Sequence, residues 1–131
     1  MEWVMSTLVN VAGMGAALYA LVVGAAWLGQ RHLMYVPDSS RIAPAAAGLV
    51  GVEEVMLEAP DGARLVTWYS APASPDRPTI LYFHGNAGNL AGRTDRFGRF
   101  QAQGFGMQML SWRSYSGSGG RPTEANNVAD A

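Results

Sequence analysis

The sequence predicts an α/β domain preceded by a transmembrane helix, and two observations lead to this prediction. No charged residue occurs between Trp3 and Gln30, a span dense in leucine, valine, alanine and glycine. Further along, the apolar run Ile80–Phe83 is followed at once by a Gly/Asn-rich stretch and then by helical sequence. A short apolar run without alternation is typical of a strand buried on both faces of a sheet. We therefore expect about four strands, one full helix and the start of a second.

The composition limits the classes of function. A chain of 131 residues has room for one domain, or for a membrane segment and a core of about a hundred residues. The net charge of −1 gives no indication of a nucleic-acid partner. The absence of cysteine excludes disulfides, thiol catalysis and cysteine-zinc sites, and His32 and His84 are the only histidines. We expect neither a metal nor a cofactor.

The charge-free segment predicts a single-pass membrane anchor. The densest part, Thr7 to Leu28, matches the ~20 residues that a membrane helix needs, so membrane lipid is an expected partner. A cleaved signal peptide is the alternative, because Gly24–Ala26 is small enough for cleavage. Against it, Glu2 is the only charge before the segment, and the apolar run exceeds the usual ~15 residues. Basic residues after the segment place the downstream domain on the cytoplasmic side by the positive-inside rule, although they are few.

Three parts follow from these patterns: an anchor over residues 1–32, a linker over 33–49 and an α/β domain over 50–131. Prolines and an alanine run make the linker an extended connection without its own core. Val50–Leu57 and Arg64–Ser70 alternate in hydrophobicity and predict a β-hairpin. The tetrapeptide Ala59–Gly62 between them has proline second and glycine fourth, as a type I turn prefers.

The stretch His84–Asn89, which reads HGNAGN, predicts a tight turn between the apolar strand and a helix. A phosphate-binding P-loop is excluded because the chain contains no lysine. A dinucleotide turn is disfavoured because Gly85, Gly88 and Gly92 have the wrong spacing. An oxyanion hole, in which the turn lends a backbone N–H to a tetrahedral intermediate, and an ordinary strand-to-helix turn both remain open.

Asn89 is a suitable N-cap for a helix from Leu90 to Gln103. Arg93, Arg96 and Arg99 recur at three-residue steps on that helix. They predict a solvated helix face, with a site for phosphate or an acidic partner as the alternative. The next strand is expected at Gly106–Trp112, beside the Ile80 strand, and a second helix begins near Thr123.

Two motifs in order, HGNAGN after one strand and SWRSYSGSGGRPTEANNVADA after the next, resemble the α/β-hydrolase superfamily. The resemblance covers roughly Leu33 to Ala131 and is strongest to the branch of membrane-anchored serine hydrolases with HGNAGN and an R-G-Y-G-x-S-x-G-x-P-[ST]-E loop. It implies the N-terminal half of the hydrolase sheet. It also implies an oxyanion hole at the N–H of Asn86, with Ala87 as the second candidate. The residues expected to support that loop are His84, Gly85, Gly88 and Asn89.

The chain departs from the family pattern in the second motif. Ser114 and Ser116 stand where the family has glycine, which puts the shape of this loop in question. A serine hydrolase also needs G-x-S-x-G after the fifth strand, then an acid, then a histidine. Ser118 lacks the first glycine and follows the wrong strand, so we do not expect it to be a nucleophile. His84 lies before the turn, where a bracing hydrogen bond is a better role than proton transfer.

Three hypotheses follow. The chain is the N-terminal piece of a membrane-anchored hydrolase of esters, thioesters or related acyl groups, inactive by itself. In this case a small acyl substrate is bound only when the C-terminal half is supplied. Alternatively it is a non-catalytic, membrane-anchored interaction module that retains half of the fold. A small nucleotide-binding domain is the third and least favoured hypothesis, because of the glycine spacing.

Overall fold

The computed structural model describes residues 1–131 and consists of two compact units, residues 1–34 and 35–131. The first unit is a single helix, α1 (Glu2–Met34), with no buried residue. It is long and apolar enough to cross a membrane. Glu2 lies in its first turn and Arg31 and His32 in its last, which suits the helix dipole.

The second unit is a partial α/β sheet. Its strands are β1 (Val36–Pro37), β2 (Glu53–Glu58), β3 (Arg64–Ser70), β4 (Thr79–Phe83), β5 (Ala87–Gly88) and β6 (Gly106–Leu110). A 3₁₀ turn (Ala91–Arg93) leads into α2 (Thr94–Ala102), and α3 (Glu124–Asp130) follows β6. The main sheet has the order β2-β3-β6-β4, in which only β4 and β6 run parallel. β1 and β5 form a separate parallel pair.

The predicted hairpin is confirmed as β2 and β3, which pair from Glu53↔Tyr69 to Glu58↔Arg64. The first strand begins three residues later than expected because Gly51 has φ of 69°, which interrupts the extended backbone. In the turn, Gly62 donates its N–H to the carbonyl of Ala59 at 2.8 Å. Gly62 has φ of 82°, so glycine is needed in the fourth position.

The expectation that the Ile80–Phe83 strand is buried on both faces is wrong. β4 pairs with β6 on one side only and is an edge strand, with the Leu81 side chain 52% exposed. The strands with the most buried side chains are β3 and β6, in the middle of the sheet. A continuous apolar run predicts burial only when other elements cover both faces of the strand. Ile80 and Tyr82 pack against the main core, whereas Leu81 lies on the opposite face and is exposed.

The main core lies between the sheet and α2. It is formed by seven buried apolar side chains: Leu49, Val66, Trp68, Leu90, Phe97, Met107 and Met109. A smaller cluster of Ala59, Leu65 and Leu110 packs separately. Because side chains alternate along a strand, β3 contributes Val66 to one cluster and Leu65 to the other.

The segment expected to be a linker belongs instead to the second unit. β1 pairs with β5 in the register Val36↔Ala87 and Pro37↔Gly88. Pro44 and Leu49 are buried, and Leu49 is part of the main core. Proline and alanine content predicted an extended connection, but residues 44–48 form hydrogen-bonded turns, in which Ala47 donates its N–H to Ala43 O at 3.1 Å.

Candidate functional site

The candidate site is the loop between β4 and α2, and it begins at a buried histidine. His84 Nε2 accepts a hydrogen bond from the N–H of Trp112 at 3.3 Å, so Nδ1 carries the proton and donates to Gly85 O at 2.6 Å. The His84 carbonyl accepts the indole N–H of Trp112 at 2.7 Å. Burial lowers the pKa of His84, and only the bond to the Gly85 carbonyl opposes this. A neutral His84 therefore joins β4 to the end of β6.

The loop also pairs with the chain segment that follows α1. Val36 donates its N–H to Asn86 O at 2.9 Å, and Asp38 donates its N–H to Gly88 O at 3.0 Å. In a parallel ladder, this pattern leaves the N–H and C=O of the intervening Ala87 directed away from β1. The Ala87 carbonyl accepts a bond of 2.8 Å from the Arg93 guanidinium on that other side.

All four carbonyls from residue 85 to residue 88 thus have a protein donor. The Asn86 carbonyl accepts a second bond, of 2.6 Å, from the Tyr115 hydroxyl. Tyr115 is buried, and burial is the main cause that raises the pKa of its hydroxyl, so it stays a donor at neutral pH. The peptide planes of the loop are fixed by contacts from β1, the 3₁₀ turn and the segment after β6.

Only part of the predicted turn chemistry is observed. Gly88 has φ of 81°, a left-handed conformation that favours glycine. Gly85 has no positive φ, and a Cβ there would meet nothing within 4 Å, so the turn does not require glycine at this position.

Asn89 caps the helical segment as its sequence predicts. Its Oδ1 accepts the N–H of Gly92 at 3.1 Å. The expected single helix from Leu90 to Gln103 is wrong, because a 3₁₀ turn precedes α2 and the α-helix itself begins at Thr94.

The loop after β6 explains the departure from the family pattern. Ser114 and Ser116 have φ of 68° and 51°, so both occupy the left-handed region where glycine is favoured. The Ser116 hydroxyl accepts the N–H of Leu90 at 2.9 Å, and its own N–H donates to Asp38 O at 2.9 Å. Ser116 thereby provides a side-chain contact to the start of the helical segment that glycine could not make.

Ser118 has a structural role. It is buried, and its Oγ accepts the N–H of Val66 at 2.9 Å while donating to Ser111 O at 3.1 Å. The Ser118 hydroxyl thus acts as both hydrogen-bond acceptor and donor inside the fold, and no histidine contacts it. This geometry agrees with the expectation that Ser118 is not a nucleophile.

Arg113 is a structural centre that the sequence did not predict. Its side chain is 5% exposed and contacts Asp61 at 2.5 Å and Asp130 at 2.7 Å, joining the hairpin turn to α3. These two hydrogen-bonded carboxylates raise its pKa, that of Asp130 having the larger effect. Its partners are 52 and 17 positions away in sequence, so no local pattern indicates the pairing. The one available signal was an arginine in a loop that otherwise consists largely of glycine and serine.

Comparison with known proteins relates this arrangement to hydrolases. No family model matches the sequence. The chain is 33% identical over 106 residues to the uncharacterized protein Rv2307c of Mycobacterium tuberculosis, covering 80% of this chain and 38% of the relative. It is 37% identical over 111 residues to the alpha/beta hydrolase domain-containing protein WAV2 of Arabidopsis thaliana, covering 78% and 35%. The chain therefore spans well under half of these relatives.

The fold is similar to that of the Pyrococcus furiosus esterase Pf2001, with a TM-score of 0.55 and 17% identity over 74% of this chain and 38% of the esterase. The partial sheet, the loop after β4 and the sequence relatives agree. The chain belongs to the α/β-hydrolase superfamily and has the N-terminal half of its sheet.

Proposed function

We propose that residues 35–131 supply the oxyanion loop of a serine acyl hydrolase acting on esters, thioesters or related substrates. The supporting observation is that every carbonyl from Gly85 to Gly88 is held by a protein donor. A donor loop fixed before the reaction stabilises an oxyanion without reorganising, and one such donor contributes about 2.7–4 kcal/mol of transition-state stabilisation in a complete enzyme.

Within this proposal Ala87 is the better donor, ahead of Asn86. The Asn86 carbonyl is bound to β1, whereas the backbone groups of Ala87 are directed away from that strand. Ala87 is also exposed, so a reacting carbonyl could approach its N–H. This proposal reverses the order that the family resemblance implies, in which Asn86 comes first, and the reason for the change is the pairing of the loop with β1.

Catalysis requires groups that these 131 residues do not place at the loop. The small acyl substrate is proposed to bind only when a nucleophile, an acid and a histidine are supplied by further residues of a full-length hydrolase. A non-catalytic, membrane-anchored interaction module is the alternative. The nucleotide-binding hypothesis is set aside because a relative that is 37% identical is named an alpha/beta hydrolase domain-containing protein.

The coding DNA beyond the codon for Ala131 separates the two remaining functions. A G-x-S-x-G elbow followed by an acid and a histidine supports the hydrolase, and their absence in all frames contradicts it. In the extended protein, Ala87→Pro removes the proposed donor, whereas Ala87→Gly retains it. We expect kcat toward p-nitrophenyl esters to fall by about 10²–10³-fold in the proline variant and not in the glycine variant.

We further propose that α1 anchors the protein in a membrane. The support is its length and its charge-free composition over Thr7 to Leu28. The weak excess of basic residues after the helix favours a cytoplasmic domain. Alkaline carbonate extraction tests the anchor: retention in the membrane pellet is expected, release into the supernatant contradicts it, and a mature N-terminus near Trp27 indicates signal-peptide cleavage.

A further inference from the structure

The carbonyl of Asn86 is the meeting point of two segments that are distant in the sequence. Val36, the first residue of β1, donates its backbone N–H to this oxygen at 2.9 Å. Tyr115, which follows β6 and lies 29 positions from Asn86, donates its hydroxyl to the same oxygen at 2.6 Å. A carbonyl oxygen has two lone pairs, so these two donors occupy both of them.

This oxygen and the proposed oxyanion donor belong to one peptide unit. The C=O of Asn86 and the N–H of Ala87 lie in one plane and point in opposite directions, because the peptide bond is planar and trans. Two donors on the oxygen therefore fix the direction of the Ala87 N–H on the other side. They also draw electron density from the nitrogen to the oxygen, since the C–N bond has partial double-bond character, and this makes the N–H a stronger donor.

The Tyr115 hydroxyl is held in place by the rest of its residue. The side chain is buried, and its ring centroid lies 5.0 Å from that of His84. The backbone carbonyl of Tyr115 accepts the Ser111 hydroxyl at 2.9 Å and the Ser118 N–H at 2.8 Å. Burial raises the pKa of the Tyr115 hydroxyl, and the neighbouring Val36 N–H opposes this only in part. The hydroxyl therefore keeps its proton at neutral pH and remains a donor.

We propose that Tyr115 is a positioning residue that orients and polarises the Asn86–Ala87 peptide for oxyanion binding. This role rests on the proposed function, in which the Ala87 N–H stabilises a tetrahedral intermediate. Tyr115 does not touch the substrate and keeps its proton throughout, because its hydrogen bond ends at the Asn86 oxygen. As negative charge develops on the substrate oxygen, a peptide that is already polarised donates to it without rearranging.

A hydroxyl that only braces the loop is the alternative role. The other three carbonyls of the loop already have donors, which come from His84, Arg93 and Asp38. The Asn86 carbonyl is also held by β1, so the loop is supported without Tyr115. The additional bond falls on the peptide that contains the Ala87 N–H, where it has its largest effect on the strength of that donor.

The bond itself is tested in the full chain of 131 residues, labelled with carbon-13 and nitrogen-15 and placed in phosphatidylcholine nanodiscs. Tyr115→Phe keeps the ring and removes only the hydroxyl. We expect the Asn86 carbonyl carbon to move upfield and the Ala87 amide proton to shift, because a carbonyl that loses a donor is less polarised. Tyr69→Phe, at a half-buried tyrosine of β3, is the control and should move neither signal. An unchanged Asn86 carbonyl signal in Tyr115→Phe would overturn the proposal.

The effect on catalysis is measured with p-nitrophenyl esters in the extended protein. Cooperativity strengthens a hydrogen bond by about 10–30%, and one oxyanion donor contributes about 10²–10³-fold in kcat, so Tyr115→Phe should lower kcat by roughly two- to eightfold. We expect kcat/KM to fall by the same factor at constant KM, because the affected interaction forms in the transition state. Replacing Tyr115 by 3-fluorotyrosine, a stronger donor of nearly the same shape, should raise kcat, which a bracing role would not do.

Ala87→Pro distinguishes the failure of this inference from the failure of the proposed function. If Ala87→Pro leaves kcat unchanged, the oxyanion assignment is wrong and the role of Tyr115 falls with it. If Ala87→Pro lowers kcat but Tyr115→Phe raises only KM, Ala87 remains the donor and the role of Tyr115 is overturned. The same holds if tyrosine and 3-fluorotyrosine give equal kcat. A kcat that increases from phenylalanine to tyrosine to 3-fluorotyrosine supports the proposal.

Discussion

Asp38 Oδ2 accepts a hydrogen bond of 2.6 Å from the Asn89 side-chain amide, which lies 51 positions further along the chain. Asp38 also contacts Gly88 through its N–H and Ser116 through its carbonyl, so one residue just after β1 joins three segments of the candidate site. The Asp38 carboxylate accepts the Ser40 N–H as well. The segment that looked like a linker is therefore part of the support of the loop.

We expect Asp38→Ala to loosen the loop. Without the carboxylate, Asn89 loses one of its two side-chain contacts, and amide exchange at Val36 and Gly92 should become several-fold faster in the full chain. Asp76→Ala is the matched control, because Asp76 is an exposed aspartate in the loop before β4. Equal exchange rates in the two variants would show that the Asp38 side chain does not hold the loop.

Ser118→Ala should lower stability without affecting ester hydrolysis. The chain alone is expected to hydrolyse p-nitrophenyl esters at the background rate, because Ser118 has no base. The substitution leaves the buried N–H of Val66 without an acceptor, at a cost of about 1–3 kcal/mol in the free energy of unfolding. Activity above background that Ser118→Ala abolishes would contradict both the structural role and the expected inactivity.

The neutral His84 predicts a pH dependence. Burial lowers its pKa in the folded state, so the unfolded chain takes up a proton first as the pH falls below about 6.5. The contribution of the neutral His84 to the free energy of unfolding is therefore complete above that pH. It is lost as the pH falls through the pKa of His84 in the folded state. Nitrogen-15 NMR of the ring should show the Nδ1-protonated neutral form persisting below pH 6.5, with His32→Gln used for assignment. A His84 ring that is already charged at pH 6.5 would contradict the lowered pKa.

Arg113→Met should free α3 from the hairpin turn. Asp130 has no exposed side-chain surface, so removing the guanidinium leaves a buried carboxylate unpaired. We expect faster amide exchange at Asn127, whose N–H donates to the Thr123 carbonyl at 2.9 Å within α3. Arg64→Met serves as the control because that side chain is exposed. Unchanged amide exchange at Asn127 would show that the ion pairs do not hold α3.

The sequence predicted features that depend on neighbouring residues. The hairpin, the N-cap at Asn89 and the left-handed Gly88 each rest on contacts within a few positions, and the structure has all three. The exposure of β4, the pairing of β1 with β5 and the Arg113 ion pairs depend on which distant segments meet. A single sequence contains no local signal for those encounters.

The fragment Leu33–Ala131, which keeps only the last two residues of α1, should fold poorly by itself. We expect it to aggregate or to remain molten, because β4 is an apolar strand with an unprotected edge and a half-exposed Leu81. The core is also small: α2 has nine residues and α3 seven, and no residue of α3 belongs to the apolar core. Ordering the backbone costs about 1–2 kcal/mol of conformational entropy per residue, and so small a buried apolar surface compensates little of that cost.

Placing a charge at the open edge of β4 tests whether that edge causes the aggregation. Leu81→Lys should raise the monomeric fraction in size-exclusion chromatography, because a lysine on an edge strand disfavours pairing with another chain. Leu57→Lys is the matched control, since Leu57 is a partly exposed leucine on β2, where Glu53, Glu54 and Glu58 already protect the edge. Equal rescue by both variants would implicate general solubility and not the edge of β4. A monomeric, cooperatively melting parent fragment with dispersed amide signals would contradict the prediction and favour the interaction module over the incomplete hydrolase.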